Sequence, residues 1–382
     1  MKKKSISILG STGSIGVNTL KVVKHLNSQI KVISLSCNKN IELLYEQIKS
    51  FNPQTVSVLD ENSYHKIKKK LKNHDVEILK GRSGLLELSL RNNVDLVMNG
   101  LVGAPGMEPT LNAVSQGIDV ALSNKESLVM AGNIINKAMN KTGAKLFPVD
   151  SEHSAIWQCL VGENIKDVRR LILTGSGGPF RKRPLETFND ITLEEALSHP
   201  NWKMGKKITI DSATMMNKGF ELIEAYWLFG LNPEKIDIVV HPQSIIHSMI
   251  EFKDSSIKAQ LGIPDMKVPI QYALTYPRHI GAPWERLNFF TCKDFTFQEP
   301  DYERFPCILL AIESLKTLGT SGTALNLSND YAVYRFLNNE IKFTDISKIN
   351  KLSMRNHAWI KEPNLHDISK LDIWIKEFVY SF

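Results

Sequence analysis

Short runs rich in β-branched residues alternate with amphipathic segments throughout residues 4–149. Strands that are joined by helical crossovers run parallel, and a parallel sheet needs helices on both of its faces. The alternation therefore predicts an N-terminal α/β domain with a doubly wound, Rossmann-like parallel sheet. The predicted strands are Ser5–Leu9, Lys31–Leu35, Thr55–Leu59, Val76–Leu79, Asp95–Met98, Asp119–Leu122 and Lys145–Val149.

The pattern changes after residue 150. Val168–Thr174 predicts a further strand. Val239–Glu251 and Ile257–Leu261 predict antiparallel strands, with connections at His241-Pro242 and at residues 262–266, so a second sheet is expected in a central α+β domain. Apolar periodicity then predicts helices of a C-terminal helical domain. Those helices are Cys307–Leu318, Ala324–Leu337 and Leu371–Phe378. Because 382 residues exceed one ordinary core, we expect domains over residues 1–150, 151–290 and 301–382.

Charge and cysteine content narrow the class of partner. The formal charge of +7 is modest for 382 residues, and a phosphorylated small molecule satisfies it as well as nucleic acid does. The chain lacks the clustered arginines and aromatics that nucleic-acid binding prefers, so we expect no nucleic acid.

Four scattered cysteines indicate neither a disulfide framework nor a zinc site. No apolar stretch approaches the roughly 20 residues that cross a bilayer, so a cytoplasmic chain without membrane contact is expected.

A glycine-rich turn follows the first predicted strand. It reads Gly10-Ser-Thr-Gly-Ser-Ile-Gly16 and leads into a helical segment, which is the context of a dinucleotide fingerprint, although the spacing is G-x-x-G-x-x-G. Backbone without side chains lets a pyrophosphate approach the unpaired amides of a helix N-terminus. The turn therefore predicts a nucleotide site, and the alternative is an ordinary tight turn.

The segment after the second strand favours one of the two nicotinamide cofactors. It reads Ser36-Cys-Asn-Lys-Asn40, which contains a lysine and no acid that could hold the ribose hydroxyls. A lysine at this point attracts a 2′-phosphate, so the segment favours NADPH over NADH. In the alternative interpretation Lys39 belongs to a polar loop and faces water.

Two carboxylates, Asp150 and Glu152, follow the seventh predicted strand. Alternate side chains of a strand point the same way, so a strand through these residues would hold the carboxylates about 7 Å apart. Such a pair can share one divalent cation, and open α/β sheets bind ligands at the carboxyl ends of their strands. The stretch Asn124-Lys-Glu-Ser127 follows the preceding strand and is expected at the same edge of the sheet. The alternatives are two solvated acids and a simple capped helix start.

Two loops later in the chain contain residues suited to an anion. The first, Gly175-Ser-Gly-Gly-Pro-Phe180, is either a phosphate cradle or only a tight bend. The second covers residues 198–207 and contains Trp202, the hinge candidate Gly205 and three lysines. This composition predicts a mobile lid, and the alternative is a surface loop held down by its tryptophan.

A helix is predicted after the pair Asp211-Ser212, which has the residue types of a helix cap, and its expected end is Gly230. On this helix Asn217, Lys218 and Glu221 share one polar face, so a third carboxylate is accompanied by donors that suit a phosphate. The alternative is a solvated helix face with an ordinary Lys–Glu pair.

Seven motifs occur in the same order in one known family. They are Gly10-Ser-Thr-Gly-Ser-Ile-Gly16, Asn124-Lys-Glu-Ser127, Val149-Asp-Ser-Glu-His153, Thr174-Gly-Ser-Gly-Gly-Pro-Phe180, His199-Pro-Asn-Trp202, Asp211-Ser-Ala-Thr-Met-Met-Asn-Lys-Gly219 and His241-Pro-Gln-Ser244. With these motifs the chain resembles the 1-deoxy-D-xylulose 5-phosphate reductoisomerase family over essentially its full length. The resemblance implies an NADPH-dependent enzyme of the non-mevalonate route to isoprenoids.

The resemblance also implies a role for individual residues. It implies that one Mg²⁺, Mn²⁺ or Co²⁺ is bound by Asp150, Glu152 and Glu221. It implies a pocket for the substrate phosphate formed by Ser176, His199, Ser212, Asn217 and Lys218. The implied residues at the reacting end of the substrate are Lys125, Ser151 and Glu152, with Trp202 and Met204 in the lid and Met266 lining the pocket. The implied NADPH contacts are Thr12, Gly13, Ser14, Ile15, Asn38, Lys39, Asn40, Asn124, Glu126 and Gly205, where Asn38 departs from the glycine of many relatives.

The chemistry that the resemblance implies is a rearrangement followed by a reduction. The C3–C4 bond of the substrate breaks in a retro-aldol step, the pieces rejoin as a branched aldehyde, and NADPH reduces that aldehyde. Residues 1–150 would bind NADPH, and residues 151–290 would bind the metal and catalyse the reaction in a homodimer. Two rivals are a metal-independent NADP dehydrogenase of similar build and a nucleotide-sensing or nucleic-acid-binding protein.

Overall fold

The computed structural model describes residues 3–199, 202, 204–292 and 294–382. It forms two compact units, each made from several chain segments. The first unit comprises the chain up to Ser127, Asn133–Ser151 and Asp265–Trp284, and the second comprises Leu128–Gly132, Glu152–Pro264 and Glu285–Phe382. The predicted assignment of functions to residues 1–150, 151–290 and 301–382 stays a prediction.

A seven-stranded sheet forms the centre of the first unit, and all seven predicted strands are confirmed. Its strands are β1 Lys4–Leu9, β2 Ile30–Cys37, β3 Thr55–Val58, β4 Glu77–Lys80, β5 Leu96–Asn99, β6 Asp119–Leu122 and β7 Leu146–Pro148. They pair in the order β4-β3-β2-β1-β5-β6-β7, and every pairing is parallel. The chain leaves β1 towards β2 on one side and returns to β5 on the other. Ligands of doubly wound sheets bind beyond the carboxyl ends of the strands at this reversal, which is where the turn after β1 lies.

Helices connect the strands as the sequence pattern predicts. In chain order the helices up to residue 230 are α1 Ser14–Leu26, α2 Ile41–Phe51, α3 Glu61–Lys70, α4 Gly81–Leu88, α5 Met107–Ser115, α6 Lys125–Thr142, α7 Ser151–Leu160, α8 Leu193–Ala196, α9 Lys206–Ala213 and α10 Met216–Phe229. Side chains of Asn40, Asp60 and Asn124 accept hydrogen bonds from amides in the first turns of α2, α3 and α6. These caps satisfy donors that a helix start leaves unpaired.

A four-stranded sheet lies in the second unit. Its strands are β8 Val168–Gly175, β9 Ile236–Val240, β10 Ile246–Phe252 and β11 Ile257–Leu261, in the order β11-β10-β8-β9. The strand β10 is antiparallel to β11, as predicted, and also to β8, but β8 and β9 are parallel. The difference follows from the connection, because the chain between β8 and β9 forms a helical crossover that includes α9 and α10.

The C-terminal helices also belong to the second unit. They are α12 Cys307–Thr317, α13 Ser321–Leu337, α14 Phe343–Asn356 and α15 Leu365–Ser381, and α11 Lys267–Thr275 belongs to the first unit. The prediction omitted α14, whose buried side includes the polar Asn350 and Ser353 and so shows a thin apolar pattern. None of the described helices combines the length and the apolar character that crossing a bilayer requires.

Candidate active site

The turn after β1 presents a helix N-terminus that no described side chain caps. Gly13 stands at the N-cap position of α1, and the first turn of α1 contains no acid. A Cβ on Gly16 would lie 2.4 Å from the carbonyl oxygen of Gly10, so only glycine lets α1 pack this closely on the turn. Gly10 itself has a φ of +79°. The predicted contacts Thr12, Ser14 and Ile15 lie at this N-terminus, whose amides can bind an anion.

The segment after β2 is exposed, as a cofactor-binding loop requires. Asn38, Lys39 and Asn40 are all exposed at the end of this central strand. The side chain of Asn40 accepts from the amide of Leu43 at 3.2 Å, so it caps α2. Hydrogen bonds from Ser63, followed by the charge of Lys39, hold the pKa of Asp60 below its usual value. Lys39 is therefore near an acid that follows β3, whereas no acid follows β2.

Asn124 is buried and holds the loop before α6 in place. Its Nδ2 donates to the carbonyl oxygens of Leu101 at 3.0 Å and Gly103 at 2.9 Å, and its Oδ1 accepts from the amide of Ser127 at 3.0 Å. The alternative of a capped helix start is therefore confirmed for this residue. Glu126 is buried in the first turn of the same helix. The NADPH contacts of Asn124 and Glu126 stay predictions.

Lys125 and Asp150 form an ion pair at the edge of the seven-stranded sheet. Their Nζ and Oδ2 atoms are 2.5 Å apart, and the two side chains are only 4% and 10% exposed. The strands β6 and β7 that precede them are hydrogen-bonded neighbours. The expectation that both segments lie at one carboxyl edge is thus confirmed.

The strand geometry predicted for Asp150 and Glu152 is wrong. The strand β7 ends at Pro148, and Ser151 begins α7, so Glu152 lies in the first turn of a helix. Asp at the position before a helix and Glu in its first turn are favoured by the unpaired amides and by the helix dipole. These local preferences outweigh the short apolar run, and the two carboxylates follow a strand-to-helix turn.

A cluster of carboxylates and one ammonium group lies in the second unit. The Nζ atom of Lys218 is 2.8 Å from Oε1 of Glu152 and 2.5 Å from Oε2 of Glu221. Asn217 Nδ2 donates to the other oxygen of Glu221 at 2.5 Å. Glu221 is 1% exposed and Glu152 is 18% exposed, so the cluster reaches solvent through Glu152. The predicted polar face of α10 is therefore a buried cluster, and the solvated-face alternative is excluded.

The charge state of Lys218 follows from this cluster. Desolvation on burial would lower the pKa of Lys218, but the charges of Glu152 and Glu221 and their hydrogen bonds raise it above its ordinary value. An ammonium ion consequently bridges two carboxylates whose oxygens lie within 4.8 Å of one another. The carboxylate oxygens that hold the Lys218 ammonium group are hard donors, which suit a divalent ion such as Mg²⁺ or Mn²⁺.

A buried histidine–glutamate pair, for which the sequence motifs indicate no role, supports the cluster. His153 is fully buried, and its Nε2 donates to the backbone carbonyl of Glu221 at 2.8 Å. Its Nδ1 lies 3.3 Å from Oε2 of Glu224, and its ring stacks on Phe229 at an angle of 8°. The pair joins α7 to α10 and so holds the backbones of Glu152 and Glu221 in register. The sequence contains a hint of this role, because His153 directly follows the predicted metal ligand Glu152.

The predicted phosphate residues lie around the glycine-rich turn after β8. The Oγ of Ser176 is 3.3 Å from Nε2 of His199. A Cβ on Gly175 would lie 2.8 Å from Cε of Lys218, and a Cβ on Gly178 would lie 2.8 Å from the carbonyl oxygen of Ser212. Glycine is therefore required at Gly178, where the close atom belongs to the backbone and φ is +67°, whereas a Cβ on Gly175 would displace only the flexible end of Lys218. This close packing brings Ser176, Ser212 and Lys218 to one place.

His199 connects this turn to the predicted lid. Its Nδ1 accepts from the amide of Trp202 at 2.9 Å, so in the neutral ring Nε2 carries the proton and donates to Ser176. Desolvation lowers the pKa of His199. Pro200, Asn201 and Lys203 of the predicted lid lie outside the described residues. Trp202 and Met204 are half-buried.

One prediction at the end of the lid and one directly after the lid are wrong. Lys207 was expected to attract an anion, but it is 5% exposed and forms ion pairs with Asp211 and Asp330. Asp211 and Ser212 were expected to cap a helix, but they lie inside α9, and α10 begins separately at Met216. The backbone of Met215 is left-handed, with a φ of 59°, and this conformation separates the two helices.

The remaining predicted residues lie at helix starts. Gly205 stands at the N-cap position of α9 with an extended backbone. Met266 stands at the N-cap position of α11 in the first unit and is half-buried. Gly230 ends α10 in a left-handed conformation, as predicted.

Comparison with known proteins identifies one family over nearly the whole chain. Three family models match the chain. Residues 6–132 match the model of 1-deoxy-D-xylulose 5-phosphate reductoisomerase. Residues 146–229 match the 1-deoxy-D-xylulose 5-phosphate reductoisomerase C-terminal domain, and residues 261–378 match the DXP reductoisomerase C-terminal domain. The reductoisomerase of Thermoanaerobacter pseudethanolicus is 50% identical over 375 residues, which cover 98% of each chain. That of Bacillus subtilis is 47% identical over 379 residues and 99% of each chain.

Solved structures agree in fold. The reductoisomerase from Zymomonas mobilis in complex with NADPH is 40% identical and superposes with a TM-score of 0.93, over 100% of this chain and 99% of that one. A DOX-P reductoisomerase in complex with NADPH, fosmidomycin and magnesium is 36% identical with a TM-score of 0.94, over 99% and 98% of the two chains. Seven ordered motifs, a doubly wound sheet and full-length identity near one half therefore agree: this chain belongs to the 1-deoxy-D-xylulose 5-phosphate reductoisomerase family of NADPH-dependent enzymes.

Proposed function

We propose that this enzyme converts 1-deoxy-D-xylulose 5-phosphate to 2-C-methyl-D-erythritol 4-phosphate with NADPH and one divalent cation, Mg²⁺, Mn²⁺ or Co²⁺. The observation that carries the proposal is the cluster in which Lys218 bridges Glu152 and Glu221 beside the glycine-rich turn after β8. It combines a cation site made of oxygen donors with donors suited to a phosphate. Family membership supports the choice of substrate and cofactor.

The cation site would consist of Asp150, Glu152 and Glu221. A divalent ion held there would act as a Lewis acid for negative charge that develops on the substrate. The carboxylates neutralise that ion with hard oxygen ligands. His153 and Glu224 hold the ligand-bearing helices in register, and ligands oriented in this way lose less entropy on binding.

The phosphate of the substrate would be bound by Lys218, Asn217, Ser176, Ser212 and His199. Lys218 keeps its charge at neutral pH because its pKa is raised, and it already lies against the turn that carries Ser176. Binding energy from a phosphate remote from the reacting carbons orients those carbons. Trp202, Met204 and Met266 would cover the substrate. Closure of the predicted lid, residues 198–207, stays part of the proposal, with its last residue Lys207 held in α9 by ion pairs.

The cofactor would bind along the carboxyl edge of the seven-stranded sheet. The uncapped N-terminus of α1, with Gly13, Ser14 and Ile15, suits the pyrophosphate, and the exposed Lys39 suits a 2′-phosphate. Lys125 and Ser151 would lie at the reacting end of the substrate. As further parts of this proposal, the enzyme is a cytoplasmic homodimer of the non-mevalonate route to isoprenoids.

A turnover assay tests the proposal directly. Purified protein should oxidise NADPH on addition of 1-deoxy-D-xylulose 5-phosphate when Mn²⁺ is present, and EDTA should abolish the reaction. A metal-independent NADP dehydrogenase would be indifferent to EDTA, and that result would replace the proposed function by this alternative. Oxidation that requires no sugar phosphate would contradict the substrate assignment.

A further inference from the structure

A buried chain of polar side chains connects α9 to α13 and α14 in the second unit. Lys207 Nζ lies 2.8 Å from Oδ2 of Asp211 and 2.8 Å from Oδ1 of Asp330. Asn329 Nδ2 donates to Oδ1 of Asp211 at 2.7 Å, and Asn350 Nδ2 donates to Oδ1 of Asn329 at 3.1 Å. All five residues are buried, and we call them the anchor network.

The anchor network contributes little net stability for the number of polar groups that it buries. Burying an ion pair costs desolvation energy that the attraction only roughly offsets, so apolar residues of similar size would stabilise the fold as well. Directional bonds differ from apolar contacts because they hold in one arrangement only. A slip of α9 by a single residue would shift it by about 1.5 Å and rotate it by about 100°, and every bond of Asp211 would be lost.

The helix that the network holds carries part of the phosphate pocket. Ser212 follows Asp211 directly, and its carbonyl oxygen packs against Gly178, where a Cβ would lie at only 2.8 Å. The amide of Gly178 in turn donates to Ser176 Oγ at 3.3 Å. The rotation of α9 about its axis therefore decides where the Ser212 hydroxyl stands relative to Ser176.

We infer that the anchor network consists of positioning residues, which fix the rotation of α9 so that Ser212 and Ser176 converge on the phosphate of the substrate. The helices α13 and α14 thereby contribute to selectivity for phosphorylated substrates, although they supply no residue to the predicted pocket. This inference rests on the proposed function, from which it takes the phosphate pocket.

The variant Asn329→Asp tests the inference by placing a second carboxylate against Oδ1 of Asp211. We expect the ratio of kcat/KM for 1-deoxy-D-xylulose 5-phosphate to kcat/KM for unphosphorylated 1-deoxy-D-xylulose to fall about tenfold, since coupling in such networks reaches the 1.4 kcal/mol that a factor of ten represents. The KM for NADPH should change less than this ratio, because all predicted NADPH contacts except Gly205 lie in the first unit.

The double variant Asp211→Asn with Asn329→Asp should restore the ratio. The exchange keeps the total charge and returns a donor opposite each acceptor, since the new asparagine can donate to the new carboxylate and still accept from Lys207. If the network only adds stability, the double variant should recover Tm, and neither the single nor the double variant should change the ratio of the two kcat/KM values.

Asn326 offers a matched control on the same helix. It is fully buried, and neither side-chain polar atom has a hydrogen-bond partner among the residues that the structure describes. Asn329→Leu and Asn326→Leu therefore remove the same group from α13, but only the first breaks the anchor network. We expect a lower selectivity ratio for Asn329→Leu and the wild-type ratio for Asn326→Leu.

The outcomes separate this inference from the proposed function. An inactive wild-type protein would refute the function. The network would then be tested by phosphate binding: inorganic phosphate should raise the Tm of wild type, and this rise should be smaller in Asn329→Leu. Equal ratios in wild type and both Asn329 variants would overturn the inference, and so would a double exchange that restores Tm but not the ratio.

Discussion

Each of the three predicted metal-binding carboxylates lies beside a lysine. Asp150 pairs with Lys125, while Glu152 and Glu221 share Lys218. Without these ammonium groups the three closely spaced carboxylates would repel one another. The lysines therefore balance the negative charge of the site that is proposed for the metal, and in the proposed reaction the same lysines face the substrate.

Replacing Glu221 by Gln should separate binding from folding. The variant removes one ligand charge, whereas Lys218 keeps its bond to Glu152, so we expect Tm in EDTA to fall by only a few degrees. Mn²⁺ affinity should fall by roughly a hundredfold, because even indirect partners of a metal cost 10–100-fold. Calorimetric Mn²⁺ titration and kcat/KM across a Mn²⁺ series measure the effect.

Glu251 provides the control for this variant. It is also buried and forms ion pairs with Arg169 and Arg170, but the metal proposal does not include it. Glu251→Gln should lower Tm and leave Mn²⁺ affinity unchanged. Wild-type Mn²⁺ affinity in Glu221→Gln would remove Glu221 from the ligand set.

Lys39→Ala tests the preference for NADPH. If the exposed ammonium group of Lys39 binds the 2′-phosphate as proposed, its loss should raise the KM for NADPH about tenfold, a difference of about 1.4 kcal/mol, with the KM for NADH unchanged. Lys69→Ala removes the same charge from an exposed position on α3 and should change neither constant. Equal losses with both cofactors would contradict the 2′-phosphate role of Lys39.

At the scale of elements, close approach of backbone decides how α1 and the turn after β1 meet. Gly16→Ala would usually favour a helix by about 1 kcal/mol. Here the added Cβ would lie 2.4 Å from both the Gly10 carbonyl oxygen and the Ser11 Cα, and neither backbone atom can move alone. We therefore expect a net loss of about 1–3 kcal/mol in the free energy of unfolding, together with weaker NADPH binding, by urea titration and fluorescence.

Gly281 is the matched glycine in the same unit. A Cβ there would meet no described atom within 4 Å, and its φ is not in the left-handed region. Gly281→Ala should stay within about 0.5 kcal/mol of wild type and bind NADPH normally. If Gly16→Ala behaves in the same way, the close packing of α1 on the turn is not what requires glycine.

At the scale of the whole molecule, the half-buried His247 makes stability depend on pH. Desolvation, with the charges of His241 and Lys218, lowers the pKa of His247 to about 4. The unfolded chain, with a pKa near 6.5, then binds more protons between about pH 6.5 and 4, so stability falls as the pH falls through that window. The loss from this one residue approaches about 3 kcal/mol at pH 4, at about 1.4 kcal/mol for each pKa unit.

His247→Gln should therefore flatten the acid side of the stability curve. Urea midpoints at pH 7 and pH 5 should differ less in this variant than in wild type. His366→Gln changes an exposed histidine on α15 and should leave the difference unchanged. An equal pH dependence in His247→Gln and wild type would contradict the depressed pKa.

The sequence by itself determined the seven strands, the glycine turn after β1, the end of α10 at Gly230 and the motifs that identify the family. These features depend on local preferences: alternation of strand and helix, backbone freedom of glycine and the order of residues along the chain. Family resemblance also named the carboxylates and the phosphate residues. Their roles as ligands stay predictions until metal and substrate binding are measured.

Only the tertiary structure decided which partners the polar side chains take. Lys207 and Lys218 are both lysines near a predicted anion site, yet one is tied to Asp211 and Asp330 and the other bridges Glu152 and Glu221. The same holds for His153, whose partners lie on α10, far away in sequence. The residue type is known from the sequence. The pKa, the exposure and the role of its side chain depend on groups from distant segments that the fold places beside it.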